Sequence, residues 1–396
     1  MTLLSGEGEA ALNVQRQLDN TLLDIIRKQI QASPRYGTRE DETVRPCITF
    51  REYMSLCLYH PEGGYYRSGK ARVGREGDFY TSAYIGDIMG EVLAERLVRL
   101  ADERFPDGGP VEAVDWGGGT GRLSAQMLNA WLRLGEEGAR FRITVVDGDP
   151  EHRRQAEELL AEHIEAGRAR VISTEHAEEQ AWQERQVAVI ANELLDAFPV
   201  HRIVRRGGRI WEWGVCWDER RQALSPCLTE PSDFRLEEWL NKQNILLAEG
   251  QTTEIGLDGA EWTARLGTML GDAILIFIDY GDSTAELTGS HRMDGTLLCY
   301  EDHRAHDDPY RSPGRQDLTA HVDFDLIRSY ALRAGWRELA YATQKRFLVE
   351  SGVLTKLATH EFTDPFHPVV RRNRSIRQLL LSDGMSELFK VQIWVK

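Results

Sequence analysis

Cysteine is scarce and unpatterned in this chain of 396 residues: five, at positions 47, 57, 216, 227 and 299, with no Cys-x-x-Cys pair. An odd count without metal spacing argues against a closed disulfide framework and shows none of the common zinc-binding patterns, and a reducing compartment fits best. Long apolar runs are missing as well. None approaches the roughly 18 residues needed to span a bilayer. The N-terminus lacks the charged and apolar blocks of a signal peptide, and acids at 7, 9, 19 and 24 speak against a transit peptide. The expected location is cytoplasmic, or the mitochondrial matrix in a eukaryote, with no membrane insertion. Basic charge is also in deficit, with 48 Lys and Arg against 63 Asp and Glu, a formal net charge of −15. A nonspecific grip on nucleic acid normally shows a basic footprint, so that class is disfavoured. Two arginine clusters remain (Arg202, Arg205, Arg206, Arg209; Arg371, Arg372, Arg374, Arg377) and read as solvated or locally paired. Internal repeats and low-complexity tracts are absent.

What is present centres on Val111-Glu-Ala-Val-Asp-Trp-Gly-Gly-Gly-Thr-Gly-Arg-Leu-Ser124. Apolar strand-forming residues stop at Asp115, and a 3.6-period stripe (Leu123, Met127, Leu128, Trp131, Leu132) follows, so the stretch reads as strand, glycine turn and helix start. Glycines 117, 119 and 121, with Gly118 between, allow a sharp turn and close approach of a ligand to the main chain. A dinucleotide fingerprint would need its third glycine at position 122, which is Arg122, and a phosphate loop would need Gly-Lys-Ser/Thr. Asp115, two positions before the first glycine, suits an amine-bearing or cationic ligand better than a pyrophosphate.

From residue 111 strands alternate with helices: strands at 111–115, 141–147, 169–173, 187–191 and 273–279, helices at 120–134 and 150–166. That alternation implies right-handed crossovers and a parallel sheet with helices on both faces, an α/β fold whose ligands bind outside the carboxyl ends of the strands. The second strand ends in Asp147, about thirty residues after Gly117, where a carboxylate can accept both hydroxyls of a ribose. The strand Val187–Ala191 runs directly into Asn192, Glu193 and Asp196, three polar groups expected to face the same cleft.

Around this core, residues 10–32 carry a helical apolar stripe, and Thr49 with Glu52 is a capping-box signature for a short helix ending before Pro61. The segment 73–82 reads as a glycine-rich loop able to close over a ligand, followed by a helix from about 84 to 104. Residues 200–230 read as a hairpin turned by Gly207-Gly208 and 231–270 as a helical insertion. Arg346–Glu350 and Phe389–Lys396 are expected to form an antiparallel edge. His303, His306 and Asp307 have no diagnostic metal spacing. The resulting division is an N-terminal helical cover over 1–75 and a catalytic domain over 76–396 with an insertion at about 200–270.

The glycine stretch resembles motif I of the class I S-adenosylmethionine (SAM) methyltransferases. The whole set resembles the MidA family of methyltransferases: Leu58-Tyr59-His60-Pro61 and Gly64-Tyr65-Tyr66; Gly77–Ser82; the glycine loop; Ala191–Val200; Asp279-Tyr-Gly281; Gly295-Thr-Leu297 with Tyr300 and His303; and Asp317–Phe324, which contains His321. The resemblance implies a Rossmann-like fold, SAM as cofactor, and methylation of a protein arginine, since mitochondrial relatives act on a respiratory complex I subunit during assembly. It implies that Thr81, Asp115, Gly117, Gly118, Gly119, Gly121 and Asp147 lie at the SAM site. Asn192, Glu193 and Asp196 would lie between SAM and the acceptor, Glu193 and Asp196 as catalytic carboxylates, with Tyr300, His303 and His321 on the substrate. The family's usual glutamates are Asp115 and Asp147 here, and its Glu-Phe-Phe-Asp is Glu193-Leu-Leu-Asp196. The absence of Asn-Pro-Pro-Tyr/Phe, which resembles nucleobase-type amino methylation, lowers an RNA substrate. Alternatives are a SAM-binding assembly protein without turnover, a small-molecule methyltransferase, and a nicotinamide-dependent oxidoreductase, which Arg122 disfavours. An oligomer is compatible with all of these.

Overall fold

The computed structural model describes residues 21–67, 86–301, 304–381 and 385–396. The first segment holds helix α1 (21–32), strands β1 (Tyr36–Thr38) and β2 (Val44–Thr49), and helix α2 (Phe50–Tyr59). Helix α2 starts where Thr49 accepts from the Glu52 backbone N–H and Glu52 reaches back to Thr49, the expected capping box. The next segment runs through α3 (Ile88–Arg104), β3 (Val111–Trp116), α4 (Arg122–Leu134), β4 (Phe141–Val146), β5 (Ala169–Ile172) and β6 (Gln186–Asn192). Then come β7 (His201–Arg206), β8 (Arg209–Asp218), β9 (Ala223–Thr229), β10 (Thr252–Ile255) and β11 (Ala273–Asp282). The last are β12 (Leu298–Glu301), β13 (Arg304–His306), β14 (Asp317–Thr319), β15 (Val322–Asp323), β16 (Arg337–Thr343) and β17 (Phe389–Val395).

These elements cluster into two compact units. One is built on the sheet order β16-β17-β11-β6-β3-β4-β5. Strands β11, β6, β3, β4 and β5 are mutually parallel, and β17 is antiparallel to both β11 and β16. The central strands are almost wholly apolar, as burial on both faces requires: Val187, Ala188, Val189 and Ile190 of β6 and Ile274 to Ile278 of β11 are each inaccessible to solvent. The core continues into α3 and α4 through Met89, Leu93, Leu97, Met127 and Trp131. Phe389–Val395 is therefore antiparallel as expected but interior to the sheet, and its outer neighbour is β16. Residues 346–350 are not a strand. Thr343 caps a helix over Gln344–Glu350 by accepting from the Arg346 N–H, and that helix turns Phe347 and Leu348 into the core.

The other unit contains residues 21–67, 197–259 and 283–326. Its six-stranded sheet runs β10-β7-β8-β2-β1-β9, and β9 pairs again with β8, so β8, β2, β1 and β9 close on themselves. Cys47, Cys216 and Cys227 fill the inside of that ring. A Cβ added at Gly37 would lie 2.5 Å from the Cys227 Sγ, so glycine is needed there for the ring to close. A small sheet, β13-β12-β14, completes the unit. The expected division into a helical cover and a catalytic domain with an insertion differs from this grouping. Leu22, Ile26 and Ile30 of α1 and Phe50, Met54 and Leu58 of α2 share one core with Val200, Val215, Cys299 and Leu318. A shared core, not order along the chain, defines the unit. The stretch 231–270 is likewise only partly helical, since it contributes β10 to the sheet.

Candidate functional site

The parallel strands end together, and the chain turns there on glycine. After β3, the N–H groups of Gly117 and Gly118 both donate to the Val146 carbonyl at 2.8 and 3.1 Å, which pulls the loop across the end of β4. Gly117, Gly119 and Gly121 have φ of +73°, +53° and +75°, the left-handed region that side chains strain to enter. Their surroundings differ. A Cβ at Gly117 would meet Leu194 Cδ1 at 2.7 Å, at Gly118 Val145 Cγ1 at 2.8 Å, and at Gly121 the Ala156 Cβ at 3.1 Å. At Gly119 it would meet no described neighbour within 4 Å. Three of the four glycines are thus demanded by the protein's own packing, whereas at Gly119 no described neighbour occupies the space a Cβ would take.

Asp115 lies beneath the loop, 2% exposed, and accepts the Ser124 hydroxyl at 2.6 Å. Burial, with a smaller contribution from the Asp147 charge, raises its carboxyl to about 6, against the opposing pull of Ser124. Asp147, at the end of β4, accepts the Gly119 N–H at 2.9 Å through Oδ2 and the Asp149 N–H at 2.8 Å through Oδ1. The His152 Nδ1 also lies 3.5 Å from Oδ1, and a carboxylate has about four acceptor positions, so Asp147 can bind the loop and still receive a hydroxyl. Asp149 in turn caps the helix Pro150–Leu159 by accepting from the Glu151 N–H.

At the end of β6 the chain makes a second turn. Asn192 donates to the Glu193 carboxylate at 3.1 Å, and its Oδ1 is buried with no partner among the described residues. Glu193 has φ +54°, one of few non-glycine residues in the left-handed region. What holds it there is Asp279, within the last half of β11 and inaccessible to solvent. The Asp279 Oδ2 accepts the backbone N–H groups of Leu194, Leu195 and Asp196 at 3.1, 2.8 and 3.4 Å, and its Oδ1 accepts the Tyr280 N–H at 2.9 Å. Burial, then the charges of Asp196 and Glu193, push the Asp279 carboxyl well above its ordinary range. The Tyr280 hydroxyl donates to Asp196 Oδ2. Two carboxylates, Glu193 and Asp196, are therefore fixed on one short turn, and Leu194 between them packs against Gly117.

The structure thus gathers Asp115, Gly117, Gly118, Gly119, Gly121, Asp147, Asn192, Glu193 and Asp196 at the carboxyl ends of adjacent strands. Tyr300, on β12, and His321, whose N–H donates to the Thr296 hydroxyl at 3.1 Å, belong to the other unit. Thr81 and His303, like the loop 73–82, lie outside the described residues. Asp279 is the residue to which sequence reasoning gave no role; its signal was an acid closing an otherwise apolar strand. Among the described residues no group of three His, Cys, Asp or Glu side chains could hold a metal ion.

Comparison with known proteins bears on what this cleft takes. A family model described as "Putative S-adenosyl-L-methionine-dependent methyltransferase" matches residues 90–342, more than half of the chain. A mouse protein named protein arginine methyltransferase NDUFAF7, mitochondrial, is 27% identical over 333 residues, covering 78% of this chain and 72% of the relative. Its Drosophila melanogaster homolog is 26% identical over 319 residues, covering 73% and 67%. The crystal structure of a candidate methyl transferase from Burkholderia thailandensis bound to S-adenosyl-homocysteine superimposes with a TM-score of 0.84 at 28% identity, covering 100% of this chain and 95% of that one. The cofactor is S-adenosylmethionine. The cleft fits it: a Gly119 backbone with no described neighbour over it, a spare acceptor position on Asp147, and a buried acceptor on Asn192 without a partner among the described residues. The class I methyltransferase fold, the cofactor and the matched motifs agree, and the chain belongs to the MidA family of SAM-dependent methyltransferases.

Proposed function

We propose that this methyltransferase acts on an arginine side chain of a protein, with Glu193 and Asp196 as the catalytic pair. The observation that carries the reading is the turn after β6, where two carboxylates are held on one strained backbone segment next to the glycine loop. SAM supplies a methyl group bonded to a sulfonium, an electrophilic carbon open to in-line attack. An arginine guanidinium is cationic at neutral pH and a poor nucleophile. Paired carboxylates can grip it through parallel hydrogen bonds, orient one nitrogen, and take up the proton that this nitrogen loses as its bond to carbon forms. Asn192 fixes Glu193 and Tyr280 fixes Asp196, so neither carboxylate must be ordered when the acceptor arrives.

In this reading the Gly119 backbone, Asp147 and Asn192 line the cofactor side, and Asp115 and Gly121 shape the loop from below. Thr81, Tyr300, His303 and His321 are assigned by resemblance alone. The names of the relatives support arginine as the acceptor and a mitochondrial setting for those proteins. A respiratory-complex subunit is the first substrate class to test. No described helix is long and apolar enough to cross a membrane.

The experiment is methyl transfer from labelled SAM to proteins of a cell extract, with amino-acid analysis of the labelled product. Label in methylarginine is the expected result. Glu193→Gln and Asp196→Asn should each keep SAM affinity and slow transfer at least about 100-fold. Label in another residue or in a small molecule overturns the acceptor. Wild-type rates in both variants overturn the roles. Tight SAM binding with no labelled product in extract from a strain lacking the protein favours an assembly role without turnover.

A further inference from the structure

The opposite end of the same sheet carries a second feature. The amino ends of β3, β4, β5 and β6 frame a cavity of about 600 Å³, within the size range of small-ligand sites. A parallel sheet is normally apolar on both faces, yet here one face is charged over three strands. Glu112 lies opposite Arg142, Ile143 opposite Ala169 sets Arg142 beside Arg168, and Thr144 lies opposite Arg170.

Four arginines line this cavity in a chain whose net charge is −15. Arg170 is wired into the sheet: its Nε donates to the Thr144 hydroxyl at 2.7 Å and to Glu112 at 3.3 Å. Its Nη2, however, is buried without a partner among the described residues. So is the Oε1 of Gln186, whose Nε2 donates to Asp107 at 2.6 Å. A buried polar atom without a partner is destabilising unless something fills the space beside it. Arg142 is exposed, and neither it nor Arg185, which lies over the Trp182 ring at 5.4 Å, has a carboxylate partner among the described residues. Of the carboxylates that line the cavity, Glu112 and Asp107 are engaged as above, and Glu184 is exposed.

We propose that this cavity is a second binding site, for a small phosphate-bearing anion, separate from the SAM cleft. A guanidinium presents a fork of donors that matches phosphate oxygens in pairs. Arg142 on β4, Arg170 on β5, and Arg168 and Arg185 just before β5 and β6 supply such forks, the Arg168 Nε donating to His163 Nδ1 at 3.4 Å. The Arg170 Nη2 would gain its missing acceptor, and Gln186 could receive a hydroxyl.

The test is calorimetric titration of the full chain, saturated with S-adenosylhomocysteine, with inorganic pyrophosphate, and with citrate as an anion lacking phosphorus. Saturation blocks the cofactor cleft, so any phosphate affinity of that cleft is removed from the reading. Sub-millimolar pyrophosphate binding, at least about tenfold weaker in Arg142→Ala/Arg185→Ala, is expected. The Kd for S-adenosylhomocysteine should be the same in both proteins, which shows that the variant is folded. No heat at millimolar pyrophosphate, or binding that survives both substitutions, overturns the site. Citrate binding as tight as pyrophosphate overturns the assignment to phosphate.

Discussion

At the residue scale, the glycine loop separates two requirements that spacing alone merges. Gly117 and Gly119 share a left-handed φ, but only Gly117 is pressed by a neighbour, Leu194. Gly119→Ala should therefore lose only about 1 kcal/mol of stability, the ordinary cost of a Cβ in that region, while weakening SAM binding at least about tenfold. Gly117→Ala should lose more stability, and adding Leu194→Ala should return part of it. Denaturant titration beside calorimetry separates the two; a Gly119→Ala protein with wild-type SAM affinity would remove Gly119 from the cofactor surface. That a glycine loop binds a nucleotide-like ligand was legible from 115–121. Which glycine serves packing was not, because Leu194, Val145 and Ala156 come from three other stretches of chain.

Asp115 gives a pH dependence of definite sign. Its folded carboxyl is raised to about 6 from an ordinary 3.8, so the fold favours the protonated form. Stability from this group is full below the ordinary value and is lost as pH rises through about 6, a change of about 3 kcal/mol. Asp115→Asn, which stays neutral and can still accept from Ser124, should lack that part of the decline. Asp323, also raised to about 6 by burial, contributes with the same sign in both proteins and cancels from the difference. Urea titrations at pH 4 and pH 7 measure it; equal declines in the two proteins would show that Asp115 is not the source.

At the scale of elements, two strand ends make the candidate site and one controls the other. Asp279, from β11, accepts three successive N–H groups of the turn that follows β6. Removing it leaves those donors unpaired in a buried place. Asp279→Ala should lose about 3 to 5 kcal/mol, comparable with breaking a buried hydrogen-bond network. Asp279→Asn should lose less and, by releasing Leu194 from its place against Gly117, should also weaken SAM binding. A variant with lowered stability but unchanged SAM affinity would mean that the turn and the loop are not coupled. The polar cluster Asn192, Glu193 and Asp196 was readable because it follows directly on an apolar strand. Its backbone strain was not, since the residue that stabilises it lies 86 positions beyond Glu193 (279 minus 193). The stretch 346–350, expected to form an antiparallel edge, failed differently: the Thr343 cap decides for a helix.

For the whole molecule, the parallel sheet was legible in the alternation from 111 onward, whereas the division into units was not. One unit draws on three separated segments whose apolar residues meet only after folding. All five cysteines are buried and free. The native protein should thus leave a thiol reagent nearly unconsumed, and denaturation should release five equivalents with or without prior reduction. Rapid native labelling of Cys47, Cys216 or Cys227 would contradict the packed ring of β8, β2, β1 and β9.

The position of β17 carries a consequence for biosynthesis. It is the last strand in chain order, yet it lies between β11 and β16, joined to both. A ribosome delivers it after every other strand has emerged, so β11 and β16 must wait with hydrogen-bonding edges and apolar faces uncovered. The sheet of this unit is therefore completed only once β17 has emerged. During that interval the nascent chain is a natural client for chaperones that shield exposed strands.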